Sequence, residues 1–334
     1  MINNVIQKLL HKEHLNADDI QLFINKIIDN NITDSQISAF ILGLTIKGVE
    51  LDELRFLIDF ISEKSVFLHF NEDILSCSGT GADFQETLNI STASSIVAAA
   101  AGAKVIKKVM PAVIEKPGNF DFLKALGVPV CITAQEAQKQ FSESGICFVA
   151  AQHFNPVENK LFKIRKEIAQ KSVFNISDAL VTFGNTSYQL VGTSIPEMAE
   201  NMAEILRFMN VKHAMVVNAQ NPLLDEISIC SETTVFDIKN GEIERFEITP
   251  DQFGIKRAEI LALRGATAEY NANLVMDIFS GKIKDAKLDV IALNAGAMLY
   301  LCDKARNYLE GIMKAYTTIS KGLALQMVRH LRKF

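Results

Sequence analysis

Between residues 74 and 217 short apolar segments alternate with helical ones, and that rhythm leaves few folds open to the chain. Ile74 to Cys77, Val105 to Ile106, Val128 to Cys131, Ile146 to Val149, Gln189 to Val191 and Ala214 to Val217 read as strands. Helices are expected from Ser91, around Phe122, from Ala134 and from Pro196. Strands that alternate with helices form βα units, whose parallel strands are covered on both faces. The expected fold class is therefore α/β, with a central, mostly parallel sheet flanked by helices. Residues 234–248 read as a hairpin turning at Asn240-Gly241, a pair that accepts positive φ. From about residue 266 the chain reads as helical.

The first 65 residues have a different period. Ile2, Val5, Ile6, Leu9 and Leu10 follow a helical stripe, as do Ile20, Phe23, Ile24, Ile27 and Ile28. Leu51, Leu54, Leu57, Ile58 and Ile61 form another. Asn16 suits an N-cap, with Asp18 and Asp19 near the positive end of the helix dipole, and Thr33 to Gln36 fits a capping box. The expected organisation is a small helical domain over residues 1–70, joined by helices from about 155–190, and a large α/β domain over 71–334. The 334 residues, 49% hydrophobic, suffice for such cores, and no low-complexity linker intervenes.

Charge and cysteine usage exclude several classes. The net charge is -5 and the only basic run is Arg329 to Lys333, so nucleic acid is not favoured by bulk charge. Cys77, Cys131, Cys147, Cys230 and Cys302 are scattered, with no Cys-x-x-Cys pair; they read as free thiols of a reducing compartment. The N-terminal segment is amphipathic and lacks the basic-then-apolar order of a secretory signal. The longest apolar run, near Ile96 to Ala103, falls far short of the ~20 residues that span a bilayer. The expectation is a cytoplasmic protein with no membrane partner. His11 and His14 read as solvated, and His153 is given no role.

The candidate chemistry begins at Gly79-Thr80-Gly81-Ala82-Asp83, which follows an apolar strand. Asn89-Ile90-Ser91-Thr92 then opens an alanine-rich helix. Glycines let backbone N–H groups approach an anion, and a helix N-terminus adds free donors and a positive partial charge. The Ser91 and Thr92 hydroxyls lie at the same place, and Lys104, Lys107 and Lys108 offer positive charge nearby. The expected ligand is a phosphorylated sugar. A Gly-x-Gly turn and an Asn-x-Ser-Thr cap also occur as ordinary structure, so the loop alone leaves both readings open. No Walker loop and no Gly-x-Gly-x-x-Gly spacing is present.

Taken together, Gly79 to Asp83 and Asn89-Ile-Ser-Thr-Ala93 ahead of an alanine-rich helix resemble the anthranilate phosphoribosyltransferase family. The likeness continues in Lys107, in Asp121-Phe-Leu-Lys-Ala-Leu-Gly127, in Arg165-Lys-Glu167, in Phe174-Asn175, in Gln189-Leu-Val-Gly192 and in Leu224-Asp-Glu-Ile-Ser228. It covers essentially the whole chain. The resemblance implies a homodimer that transfers a phosphoribosyl group from 5-phosphoribosyl 1-pyrophosphate to the amine of anthranilate, a step of tryptophan synthesis. It implies that Gly79, Thr80, Gly81, Asp83, Thr87, Asn89, Ser91, Thr92, Lys107 and Asn119 hold the sugar pyrophosphate. It further implies that Ser91, Asp225 and Glu226 hold Mg²⁺, and that Arg165 faces the acceptor, with Lys108, Met110 and Phe183 on the same side.

The acceptor side departs from the family pattern. Where the family has Lys-His-Gly-Asn-Arg, this chain reads Lys107-Lys-Val-Met-Pro111. The Gly-Pro-Leu-Thr-Asn-Pro segment becomes Asp178-Ala-Leu-Val-Thr-Phe183, and Tyr-His-Pro becomes Phe154-Asn-Pro156. Glu115 puts a negative charge near the expected pyrophosphate, a cost unless a lysine or metal pairs with it. Two readings follow: a phosphoribosyltransferase whose acceptor is anthranilate or another small aromatic or nitrogenous compound, and a non-catalytic relative that binds a ligand, a protein or nucleic acid. A third, a nucleoside phosphorylase, fits the domain plan but not Asn-Ile-Ser-Thr and Asp-Glu.

Overall fold

The computed structural model describes residues 1–81, 85–111 and 118–334. Four helices open the chain: α1 (Ile2–Leu10), α2 (Ala17–Ile28), α3 (Asp34–Lys47) and α4 (Leu51–Glu63). Both expected caps form: Asn16 Oδ1 accepts from Asp19 N at 3.0 Å, and Thr33 Oγ1 accepts from Gln36 N at 3.2 Å. Their apolar faces meet in a shared core, where the Phe23 and Phe40 rings stack. Glu53 is fully buried there without being an orphan charge. It accepts from Leu15 N at 2.7 Å and Glu50 N at 2.9 Å, and pairs with Lys47 at 2.8 Å. His14, expected to be merely solvated, stands 3.2 Å from a Glu50 carboxylate oxygen.

The next elements are β1 (Ile74–Gly79), α5 (Ile90–Ala100), β2 (Val105–Val109), α6 (Asn119–Leu126), α7 (Ala134–Ser144) and β3 (Ile146–Ala150). They are followed by α8 (Ala151–Phe154), α9 (Pro156–Ile168), α10 (Val173–Leu180), β4 (Thr186–Gly192), α11 (Ala199–Phe208) and β5 (His213–Gln220). The chain ends with β6 (Leu223–Leu224), β7 (Thr233–Lys239), β8 (Glu242–Ile248), α12 (Ala268–Phe279), α13 (Ala286–Leu301), α14 (Tyr308–Ser320) and α15 (Leu323–Leu331). The sheet order is β3-β2-β1-β4-β5-β7-β8, with β6 against β5. Neighbours from β3 to β5 run parallel; β6, β7 and β8 pair antiparallel. The hairpin turns at Asn240 and Gly241, whose φ values are 53° and 83°.

The strands are apolar on both faces because both are covered. Leu75, Cys77, Val105, Phe148, Leu190 and Met215 point into a core shared with α5, α6 and α12 to α15. Ile74, Ile106, Cys147, Val191 and Val216, at alternating positions, point into a second core that contains α1 to α4 and α8 to α11. Thus α9 and α10 pack on α2, α3 and α4 although they lie far along the chain.

Three local expectations change. Val128 to Cys131 is not a strand: only Cys131 bridges, to Val149, because Pro129 has no N–H to donate at this sheet edge. Pro196 begins a 3₁₀ turn, and the α-helix starts at Ala199. The helices expected over 155–190 end at Leu180, and Thr186 already begins β4. Among the described residues no helix is long and apolar enough to cross a membrane.

The order β2-β1-β4 places successive connections on opposite sides of β1. Open parallel sheets bind ligands in the crevice beyond the strand C-termini at such a switch point. Here β1 and β4 end side by side, with Gly79 paired to Gly192.

Candidate functional site

Beyond Gly79 the chain turns under tight constraint. Thr80 N donates to Gly192 O at 3.0 Å, and the Thr80 hydroxyl accepts from Ser194 N at 3.1 Å. Ser194 Oγ donates to Gly81 O at 2.9 Å, and Asn175 Nδ2 donates to Thr80 O at 3.1 Å. Gly81 takes a φ of 62°, in the left-handed region that glycine tolerates. Its N–H points to Asp225 Oδ2 at 2.7 Å.

Asp225 and its neighbour tie this loop to the following helix. Glu226 Oε1 accepts from Ser91 N at 3.1 Å, in the first turn of α5. The adjacent carboxylates therefore engage an amide of the glycine loop and an amide of a helix N-terminus. The close approach depends on two glycines. A Cβ on Gly192 would lie 1.6 Å from the Asp225 carbonyl oxygen, and one on Gly79 would lie 2.2 Å from Asp225 Oδ2.

Lys107 enters the same site from β2. It is 1% exposed, and its ammonium donates to Cys77 O at 2.8 Å and Ser91 Oγ at 3.1 Å. Burial pushes the neighbouring Cys77 thiol up to about 12, against the pull of Lys107. The three lysines expected near the loop separate. Lys108, one residue on, projects to the opposite face of the sheet. Lys104 precedes β2, at the strand end away from the loop, over the Phe141 ring at 5.7 Å.

The first turn of α5 is held by side-chain amides. Thr92, fully buried, donates its hydroxyl to Asn119 Oδ1 at 2.8 Å. Asn89 Nδ2 reaches the same oxygen at 3.4 Å, and Asn89 Oδ1 accepts from Asn271 Nδ2 at 3.1 Å. Thr87 stands apart in a bridge with Arg264. Asp83 and Glu115 lie outside the described residues. The arrangement thus brings Gly79, Thr80, Gly81, Ser91, Lys107, Asp225 and Glu226 into one site, with Asn89, Thr92 and Asn119 as an adjoining network.

The donor set Ser91, Asp225 and Glu226 is all oxygen, which suits a hard divalent cation such as Mg²⁺. Both carboxylates stand at amides, and Lys107 already supplies one positive charge at Ser91 Oγ. That balance favours a cation that arrives with an anionic ligand. The Gly81 and Ser91 N–H groups at the glycine loop and the helix N-terminus, held here by the two carboxylates, are of the kind that suit an anion.

On the other face of the sheet, beside the loop, four charged side chains are packed together. Lys108 Nζ donates to Glu158 Oε1 at 3.1 Å and Val181 O at 3.2 Å, and lies 5.5 Å from the Phe183 ring centre. Arg165 donates to Asp178 Oδ2. Phe183 is itself buried against Phe154, and Met110 is half-buried. Asn175 and Ala179 of α10 fix this cluster to the loop, because Asn175 holds Thr80 O and Ser78 Oγ donates to Ala179 O at 2.7 Å.

Burial pushes the Glu158 carboxyl up to about 7; Lys108 pulls it down and Asp178 raises it. A raised folded-state value means that folding favours the protonated form. The stability this group confers is complete below its ordinary value of 4.5 and is lost as pH rises through about 7. Replacing Glu158 with Gln should therefore flatten the fall in stability between about pH 5 and pH 8. Urea midpoints at both pH values test this, and identical slopes in the two proteins would refute it.

Sequence reasoning met Asn175 only as part of a family motif, with no role, and missed Ser194, Asn271 and Glu158. Asn271 is a polar residue on the buried side of α12, and Glu158 a charge on the buried side of α9. A polar residue breaking an apolar stripe was the signal available for both.

Comparison with known proteins places this geometry in context. Residues 71–325 match the family described as glycosyl transferase family, a/b domain, and residues 3–64 match its helical bundle domain. The anthranilate phosphoribosyltransferase of Brevibacillus brevis is 33% identical over 333 residues, 99% of this chain and 97% of the relative. That of Endomicrobium trichonymphae is 35% identical over 301 residues, 90% of this chain and 89% of the relative. Among solved structures, the anthranilate phosphoribosyltransferase of Thermus thermophilus gives a TM-score of 0.89 at 26% identity, over 98% of each chain. The Saccharomyces cerevisiae enzyme, solved in complex with 5-phosphoribosyl 1-pyrophosphate and Mg, shares the fold with a TM-score of 0.89 at 24% identity, over 99% of this chain and 97% of that one.

Proposed function

Since the chain belongs to the anthranilate phosphoribosyltransferase family of glycosyl transferases, we propose that it transfers the phosphoribosyl group of 5-phosphoribosyl 1-pyrophosphate to a small aromatic or nitrogenous acceptor, with Mg²⁺. It is a pentosyl-transferring enzyme of that family type. The observation that carries the reading is the bridge made by Asp225 and Glu226 from the glycine loop to the start of α5. Anion-binding amides and hard-oxygen ligands thereby belong to one site.

The chemistry asks little acid–base work of the protein. The leaving group is pyrophosphate, so the task is to hold it and neutralise its charge as the C1–O bond stretches. The Gly81 and Ser91 N–H groups, held here by Asp225 and Glu226, would serve the phosphates once those carboxylates turn to the cation. Lys107, locked against Cys77 O and Ser91 Oγ, adds a fixed positive charge with little reorganisation. Ser91, Asp225 and Glu226 would hold Mg²⁺, which when bound offsets the charge of the departing phosphates. The acceptor nitrogen approaches from the side of α10. We extend the proposal to a homodimer, supported by exposed Leu10 and Ile46 on α1 and α3; a monomer mass in sedimentation would remove it.

Calorimetry with 5-phosphoribosyl 1-pyrophosphate should show binding that strengthens with Mg²⁺. Absence of binding by folded wild-type protein would sink the proposal. Rescue of a tryptophan auxotroph tests the acceptor: failure or very weak growth is expected, and full rescue would identify anthranilate as the acceptor.

A further inference from the structure

We infer that the acceptor of this chain is an amine or nitrogen heterocycle without a carboxylate, and that Asp178 and Glu158 set this preference. The inference rests on the phosphoribosyl-transfer reading of the site. It deepens that reading by naming the acceptor's charge class.

The charges of the cluster beside the loop are paired. The two cations of this cluster, Lys108 and Arg165, each have a carboxylate within hydrogen-bond distance, Glu158 and Asp178; Lys171, also beside the loop, donates to Ser194 Oγ at 3.2 Å. All four side chains are nearly out of water, from 2% to 12% exposed. An anionic ligand would meet a cluster with no surplus positive charge. To use either cation it would have to displace a carboxylate from it, and strand that carboxylate in a buried place.

Two further observations point the same way. Glu158 Oε2 is buried and has no hydrogen-bond partner among the described residues, so above about pH 7, where this carboxyl is ionised, the cluster already holds one uncompensated acceptor. A ligand carboxylate would add to that excess of lone pairs, whereas an amine, amide or ring N–H relieves it. Arg165 donates to Asp178 and is 5% exposed, so it is not aimed at open solvent where an incoming carboxylate could capture it bidentately. The cluster is also in the right place. Through Asn175 and Ser78 it is tied to the loop that holds the donor, so a nucleophile reaching that donor passes the end of α10. Repulsion built against one ligand class is an efficient source of specificity.

Anthranilate and 2-aminobenzamide differ only in carboxylate against amide, and both fluoresce. Titrations of the full chain at about pH 8, with and without 5-phosphoribosyl 1-pyrophosphate and Mg²⁺, should show the amide bound at least about 10-fold more tightly. Asp178→Asn, which keeps an acceptor for Arg165 and removes the charge, should raise anthranilate affinity about 10-fold and leave the amide nearly unchanged. Asp178→Gly should do the same more strongly if α10 tolerates it; Asp178→Asn keeps the test decisive if it does not. Equal or tighter binding of anthranilate by the wild type would overturn the inference. So would binding of neither compound, or an unchanged ratio in Asp178→Asn. The titration without donor separates this outcome from failure of the donor reading, which calorimetry with the sugar pyrophosphate reads on its own.

Discussion

Gly192→Ala is expected to abolish measurable binding of 5-phosphoribosyl 1-pyrophosphate and to lower the melting temperature by several degrees. The added Cβ would lie 1.6 Å from the Asp225 carbonyl oxygen and 2.3 Å from its carbonyl carbon. Those are backbone atoms, so no side-chain rotation relieves the clash. Either β4 separates from β1 where Gly79 meets Gly192, or the segment carrying Asp225 and Glu226 moves away. Overpacking of this kind costs about 1–3 kcal/mol or more, and each 1 kcal/mol shifts the melting temperature by about 2–4 °C in a domain somewhat smaller than this chain. Gly79→Ala provides the contrast. Its Cβ would meet the Asp225 carboxylate at 2.2 Å, with the nearest backbone atom at 3.3 Å. The carboxylate would swing aside, so ligand binding should fall with a smaller loss of stability. Calorimetry and thermal melts of both variants decide the matter; a Gly192→Ala protein that melts and binds like the wild type would refute the account of this close approach.

Asp225→Asn combined with Glu226→Gln is expected to weaken Mg²⁺-dependent binding of the sugar pyrophosphate by at least on the order of 10- to 100-fold, since even partners one shell removed from a metal are worth that much. The substitutions keep oxygens able to accept from Gly81 N and Ser91 N, so the loop and the start of α5 should hold their places. The negative charge that a hard cation needs is lost. Asp225→Ala with Glu226→Ala removes both functions and should additionally loosen the loop. The informative measurement is affinity as a function of Mg²⁺ concentration. If the Asn/Gln variant keeps the wild-type Mg²⁺ dependence, the pair does not serve the metal.

Much of the fold was legible because its signals are local. Asn16 and Thr33 cap helices through residues three positions away. The Asn240-Gly241 turn needs only two residues that accept positive φ. The βα rhythm marked each parallel strand because burial on both faces leaves a short, wholly apolar run. Val128 to Cys131 shows where that logic fails: the run is apolar, but Pro129 and an edge position leave it a single bridge. The glycine loop was legible for a different reason. Glycines, a strand end and a helix start lie within residues 79–92, so chain order alone brings the loop and the helix start together.

Other features depend on contacts between distant parts of the chain. Asn271 lies 182 residues from Asn89, and no local pattern tells that it holds the amide oxygen of that residue. The three lysines at 104, 107 and 108 look equivalent in sequence. Strand alternation and strand direction send only Lys107 to Ser91. The charge changes on the acceptor side could be read as substitutions, but not as pairs. That Asp178 meets Arg165, and Glu158 meets Lys108, follows from packing α9 and α10 against the face of β2.

The sequence by itself therefore determined the α/β class, the helical N-terminal elements, the glycine loop ahead of a helix start and the adjacency of the two carboxylates, because each is written in residues close together or in a strict period. Only the tertiary structure decided which lysine reaches Ser91, how Asp225 and Glu226 reach the loop past Gly79 and Gly192, and that Lys108 and Arg165 are already paired with carboxylates. Those outcomes turn on distances of a few ångströms between segments up to 144 residues apart at Gly81 and Asp225, and such distances are set by the packing of layers rather than by any neighbouring residues.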